Sequence, residues 1–106
     1  MDVFPKYIVE NDPEDGKGNY LLIGKATYHR ELAYDINQVL GGGWWDRKDD
    51  TITLHGSSYE FGFVNLQIIK DCILSKRVFT NPYSEDAVSE DYIWYYDKGS
   101  EIIKIE

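Results

Sequence analysis

The chain has little of what marks secreted, membrane-spanning or disordered proteins. Its single cysteine, Cys72, excludes an internal disulfide and is typical of a reducing compartment. No uninterrupted apolar run is long enough to cross a bilayer, and the first residues lack the charged-then-apolar pattern of a secretion signal. Aromatic residues make up 15% of the chain, which argues against disorder. We therefore predict a folded, cytoplasmic protein.

Basic residues are also scarce. The chain has 11 Lys and Arg against 19 Asp and Glu, a net charge of −8. Such an excess repels nucleic acids and anionic membranes over the surface as a whole, so we predict neither as a partner. An anionic substrate would need a local basic patch. At 106 residues, the chain is predicted to be one domain, 1–106, with one core, and its oligomeric state is left open.

The hydrophobic pattern predicts an α+β domain. Apolar spacing at His29, Leu32, Ala33 and Ile36 predicts a helix over about 28–40, with Thr27 as its N-cap. A second amphipathic segment follows Gly62 and predicts a second helix. The predicted strands lie at 5–9, 19–23, 44–47, 51–55, 77–80, 92–96 and 101–105. Together with the two helices, these segments predict an α+β domain with a mixed sheet of about six strands.

Glycines are concentrated in one part of the chain. Five of the nine lie between positions 41 and 62, and His29, one of two histidines, precedes them. Glycine is favoured where backbone approaches another group closely or takes a positive φ. The triplet Gly41, Gly42 and Gly43 is open to two interpretations. It can end the preceding helix and let Trp44 and Trp45 pack, or it can approach a bound ligand.

The order of these motifs resembles a known family. Tyr28-His29 is followed by Leu40-Gly41-Gly42-Gly43, then by a strand, then by a loop from Gly56 to Gly62 with the pattern Gly-x-Ser-x-x-aromatic-Gly. This order is similar to that of the Janus/Ocnus family, the small phosphohistidine phosphatases, over about positions 19–76. The resemblance implies that family's α+β fold and a cofactor-free, metal-free phosphatase. Its substrate would be a phosphorylated protein or a small phosphorylated molecule, such as another phosphoramidate.

The resemblance also implies roles for individual residues. His29 would be the catalytic residue, and Ser58 a phosphate ligand beside the backbone N–H of Glu60. Ser57 and Tyr59, in the same loop, complete the predicted substrate-binding set. Two positions depart from the family pattern, since Trp44 replaces a basic residue and an expected lysine falls at or near Asn19. The candidates to supply the missing positive charge are Lys25, Arg30 and Arg47.

The chemistry of His29 suits this role but does not require it. Its unperturbed pKa near 6.5 fits a general base or nucleophile, and a helix N-terminus would favour the neutral ring. However, His29 lies on the apolar stripe and can equally be a core histidine, and Ser57-Ser58 can be a loop without a ligand. The alternative function is therefore a non-catalytic phosphate- or protein-binding module. It would use the same site or the acidic and aromatic region that begins at about residue 85.

Overall fold

The computed structural model describes residues 3–12, 18–80 and 92–106. Within these residues the chain is an α+β domain with a seven-stranded mixed sheet and one α-helix. The strands are β1 (Phe4–Asp12), β2 (Gly18–Ala26), β3 (Val39–Lys48), β4 (Thr51–His55), β5 (Val78–Thr80), β6 (Ile93–Asp97) and β7 (Ile102–Lys104). The helix α1 spans Leu66–Leu74, and the acidic segment 85–91 lies outside the described residues.

The strands are arranged in the order β5-β2-β1-β3-β4-β6-β7. β1 pairs antiparallel with both β2 and β3, which makes it an interior strand of the sheet. β3 and β4 form the predicted hairpin, closed between Lys48 and Thr51, and β6 and β7 form the predicted terminal hairpin. The pairs β2/β5 and β4/β6 are parallel, so the sheet is mixed as predicted.

Side chains alternate between the two faces of the sheet, and different elements cover each face. On the helix face, Tyr7, Leu21 and Leu54 pack in one buried cluster with Ile69 and Cys72 of α1. On the opposite face, which we call the turn face, a second cluster contains Ile8, Leu22, Ala26 and Leu32. The turn face is covered by the chain between β2 and β3, which also carries His29.

The predicted helix over 28–40 is wrong. This segment forms two short 3₁₀ turns, His29–Leu32 and Ile36–Gln38, and β3 already begins at Val39. Thr27 is not the N-cap, since the first turn begins after Tyr28. The second turn is capped by Asp35, whose side chain accepts from the backbone N–H of Asn37. An aspartate that binds a nearby backbone amide competes with helix formation, which explains the break at this position.

The glycine triplet lies inside β3 and does not end a helix. A Cβ atom on Gly43 would lie 2.6 Å from the carbonyl oxygen of His55 and 2.8 Å from that of Gly56. A Cβ on Gly41 would lie 2.6 Å from the carbonyl oxygen of Phe63. Only glycine therefore lets the chain after β4 pack this closely against β3.

Candidate functional site

His29 lies beneath the surface of the turn face, over the glycines of β3. It is 6% exposed and begins the first 3₁₀ turn. Its Nε2 lies 2.8 Å from the carbonyl oxygen of Gly43, and its ring meets that of Trp44 edge-on with centroids 5.4 Å apart. Because a carbonyl oxygen only accepts hydrogen bonds, Nε2 carries the proton. The lone pair of the neutral ring is therefore on Nδ1, the atom that can act as a base or nucleophile.

The surroundings of His29 favour its neutral form. Burial lowers its pKa below the ordinary value, and this effect is larger than the opposing hydrogen bond to Gly43. The positive charge of Lys6 lowers the pKa further, whereas the carboxylate of Glu60 raises it. The neutral form predicted for His29 is therefore favoured by burial and by Lys6. It is not favoured by a helix dipole, because the segment forms no long helix.

Lys6 is a residue of this site that sequence reasoning missed. It lies on β1 opposite Trp44, is 3% exposed, and holds its Nζ 3.6 Å from the centre of the Trp44 ring. The ring of Phe4 is 5.1 Å from the same atom. Burial lowers the pKa of Lys6, partly offset by the negative charge of Glu31. The available signal was a lysine within the apolar run of a central strand, where an unpaired charge is costly.

Beyond the end of β4, the loop from Gly56 to Gly62 pairs with β3 through backbone hydrogen bonds. The backbone N–H of Ser58 donates to the carbonyl oxygen of Gly42, and the N–H of Gly42 donates to that of Gly62, both at 2.9 Å. The loop thereby continues the sheet. Ser58 lies beside Gly42 in the sheet, and His29 lies over Gly42 on the turn face. A Cβ on Gly42 would lie 3.2 Å from Cδ2 of His29, so this glycine makes room for the ring.

Ser58 organises its own loop. Its buried Oγ accepts from the backbone N–H groups of Glu60, at 3.2 Å, and of Phe61, at 3.1 Å. The Glu60 amide that the resemblance implies as a phosphate donor is thus bonded within the loop. Ser57 and Tyr59 are exposed, and the exposed Glu60 carboxylate lies 3.8 Å from Arg30. Both signs of charge therefore meet at the rim of the site.

Two of the candidate cations are not brought to His29. Lys25 alternates with Ala26 on β2, so its exposed side chain points to the helix face of the sheet. Arg47 points to the same face near the end of β3, where its Nε donates to the carbonyl oxygen of Asp49 and its guanidinium lies over the Tyr92 ring. Among the described residues, the unforeseen Lys6 places positive charge near the imidazole, and Arg30, next to His29 in the chain, lies by Glu60.

Two clefts of the described residues lie away from His29. One, of about 400 Å³, is lined by α1, β6 and the end of the chain, including Ile73, Trp94 and Ile105. The other, of about 410 Å³, is lined by His55 and Asp97, among others. His55 Nε2 also lies 2.9 Å from the Asp46 carboxylate. In the described residues no three His, Cys, Asp or Glu side chains are placed to hold a metal ion.

Comparisons with known proteins found no family model, curated protein or solved structure that matches the chain. Among the described residues, no helix has the length and apolar character needed to cross a membrane.

Proposed function

We propose that this chain is a small, cofactor-free phosphatase of the Janus/Ocnus type, with that family's phosphohistidine phosphatase-like fold. It would act on phosphohistidine or another phosphoramidate, presented by a phosphorylated protein or a small phosphorylated molecule. The observation that carries the proposal is the fixed, neutral imidazole of His29. Its Nε2 donates to the carbonyl oxygen of Gly43, which leaves the lone pair on Nδ1, and the positive charge of Lys6 acts on the ring.

Hydrolysis of a phosphoramidate needs little beyond this arrangement. As a nucleophile, Nδ1 would form a bond to phosphorus while the P–N bond of the substrate breaks and its nitrogen leaves with a proton. Water would then release phosphate from the ring. As a base, Nδ1 would instead take a proton from a water that attacks phosphorus while the P–N bond of the substrate breaks, and the protonated ring would return this proton to the departing nitrogen. In both routes Lys6 would neutralise the phosphoryl oxygens, and positioning would supply most of the rate.

Ser58 contributes to this proposal through its hydroxyl. The oxygen accepts from two loop amides, which orients the side chain, and its hydrogen remains to donate to a phosphoryl oxygen. Lys6 and Arg30 carry positive charge near His29, while Glu31 and Glu60 carry negative charge. The near balance of these four charges implies weak binding of free phosphate and favours a substrate with further contacts.

A phosphohistidine dephosphorylation assay tests the proposal, with the wild type compared to His29→Ala and His55→Ala. We expect turnover by the wild type and a loss of at least about 100-fold in His29→Ala, because base or nucleophile catalysis is removed. His55→Ala is the matched control, since it removes the chain's other histidine, which lies on β4. A circular dichroism melt confirms that each variant is folded. Full turnover by His29→Ala, or none by the wild type, contradicts the proposal.

A second candidate, a non-catalytic phosphate- or protein-binding module, is favoured by two observations. Trp44 covers the Lys6 ammonium, and the loop amides of Glu60 and Phe61 are bonded to Ser58. A site of this kind offers few free donors to a transition state. For this function, calorimetric titration would detect binding of a phosphorylated peptide to the wild type and to His29→Ala alike, without turnover by either.

A further inference from the structure

Glu10 is a carboxylate inside the protein. It is 1% exposed and lies on β1, on the turn face, two residues after Ile8. The register between β1 and β3 shifts between Val9 and Glu10, and Glu10 lies opposite Val39 at the start of β3. A buried charge is costly unless an opposite charge or hydrogen bonds compensate for the lost water.

Three hydrogen bonds provide that compensation. The hydroxyl of Tyr20 on β2 donates to Oε2 at 2.7 Å. The backbone N–H of Tyr34 donates to Oε1 at 3.0 Å, and that of Asp35 donates to Oε2 at 3.1 Å. Hydrogen bonds to an ionised acceptor are roughly twice as strong as those between neutral groups. Glu10 therefore ties the segment between the two 3₁₀ turns to the centre of the sheet.

This segment depends on such side-chain bonds. A helix over the same residues would satisfy its amides internally, but each 3₁₀ turn here closes only one turn of chain. The backbone N–H groups of Tyr34 and Asp35 lie between the turns, and the Glu10 carboxylate is their acceptor. At the other end of the first turn, the Glu31 carboxylate accepts from the N–H of Tyr28 at 2.7 Å. His29 is the first residue of this turn, and hydrogen bonds to Glu31 and Glu10 fix the chain at its two ends.

We propose that Glu10 is a positioning residue for His29. By holding the amides of Tyr34 and Asp35, it fixes the segment that starts at His29, and with it the hydrogen bond from Nε2 to Gly43. Glu10 does not touch the reacting atoms. The catalytic consequence of this role rests on the function proposed above, but the effect on the His29 ring does not.

Nuclear magnetic resonance of the histidine rings tests this role without an activity assay. The wild type, Glu10→Gln and Tyr20→Phe are compared. Glu10→Gln keeps the size of the side chain but replaces one acceptor oxygen by a donor, so it cannot keep all three bonds. Tyr20→Phe is the matched control, because it removes a bond to the same carboxylate and leaves those to the segment in place. Thermal melts measure the stability that each variant loses.

In the wild type we expect the ring nitrogen shifts of His29 to report a proton on Nε2, and slow exchange of the Tyr34 and Asp35 amides. In Glu10→Gln we expect exchange at these amides to be at least about tenfold faster, and the His29 ring to populate both tautomers. Tyr20→Phe should leave the ring signals unchanged. Unprotected amides in the wild type overturn the proposal, and this measurement needs no variant. An unchanged His29 ring in folded Glu10→Gln overturns it as well.

Kinetics add an arm that separates the two proposals. If the protein hydrolyses phosphohistidine, Glu10→Gln should lower kcat at least about tenfold with KM little changed, because the reacting group is displaced while the substrate contacts remain. A fall in kcat no larger than that of Tyr20→Phe contradicts the positioning role. A wild type without turnover overturns the proposed function only, and the ring signals still decide the role of Glu10.

Discussion

Lys6 and Trp44 form a cation–π pair next to the ring of His29. The ammonium group is almost without solvent and relies on the face of the indole ring at 3.6 Å. Such contacts contribute roughly 0.5–2 kcal/mol, which partly offsets the cost of burying the charge. Trp44 therefore does not leave the surroundings of His29 without a cation. It covers the cation that β1 supplies.

Replacing Lys6 with methionine tests whether Lys6 contributes to phosphate binding more than to the free energy of unfolding. We expect Lys6→Met to change the free energy of unfolding by less than about 1 kcal/mol, because the lost cation–π attraction and the relieved desolvation oppose each other. Affinity for inorganic phosphate should fall by about tenfold, since the buried positive charge is gone. Chemical denaturation and phosphate titration measure the two effects. Lys25→Met, on the other face of the sheet, is the control, and an equal loss of affinity there refutes the role of Lys6.

The lowered pKa of His29 makes stability depend on pH. Burial is the main cause, so the folded protein binds a proton at His29 less readily than the unfolded chain, whose pKa is near 6.5. The contribution is complete above that value and is lost as pH falls through the folded pKa. Denaturation from pH 7.5 to 5 should show a slope of up to about 1.4 kcal/mol per pH unit that His29→Gln lacks. Equal slopes would show that His29 titrates normally.

At the scale of elements, the glycines of β3 determine how closely other segments pack against this strand. A strand normally excludes three consecutive glycines, because they contribute no side chain to the core and lose more entropy on folding. Here the missing Cβ atoms let the chain after β4 lie against β3, and they leave room for the His29 ring. The triplet therefore contributes to the site through the close packing that the missing Cβ atoms permit.

Gly43→Ala tests this close approach. The added Cβ would lie within 2.8 Å of two backbone carbonyl oxygens, those of His55 and Gly56, and backbone cannot move aside as a flexible side chain can. We expect a loss of about 2–3 kcal/mol in the free energy of unfolding. Lys48→Ala, at the exposed end of the same strand, should cost under about 0.5 kcal/mol and is the control. Similar losses in both variants would show that β3 tolerates side chains at the triplet.

The second element that sequence reasoning misjudged is the segment 28–40. Its apolar residues have helical spacing, but Ile36 and Leu40 are exposed and do not complete a buried stripe. The acceptors that replace helical hydrogen bonds come from distant residues, above all Glu10 on β1. A local pattern cannot reveal an acceptor that lies 24 residues away in the chain. By contrast, α1 is close to its prediction because the amphipathic stripe that predicts it is a local pattern.

At the scale of the whole molecule, the net charge of −8 opposes folding and the approach of anions. We expect the melting temperature to rise by about 5 °C when sodium chloride is raised from about 10 to 150 mM, which shortens the screening length from about 30 to 8 Å. At equal ionic strength, phosphate should stabilise the wild type further but not Lys6→Met. Scanning calorimetry measures both. A melting temperature that falls with salt would mean that attractive pairs outweigh the repulsion.

The sequence by itself determined the fold class and most of the strands. Tyr7, Leu21 and Leu54 belong to short apolar runs whose length and flanking turns are visible without neighbours, and the hairpins at 44–55 and 92–105 follow from local turn residues. The sequence also singled out His29 and the loop around Ser58, which the fold brings to either side of Gly42.

Which groups surround His29 depends on the tertiary structure. Lys6 and Gly43 are separated from His29 by many residues in the chain, as Glu10 is from the amides that it holds. These contacts depend on strand order and on the register of β1 with β3. Strand order in a mixed sheet results from the packing of both faces at once, and no local pattern records it. For that reason the buried lysine and the buried glutamate could be read only from the folded molecule.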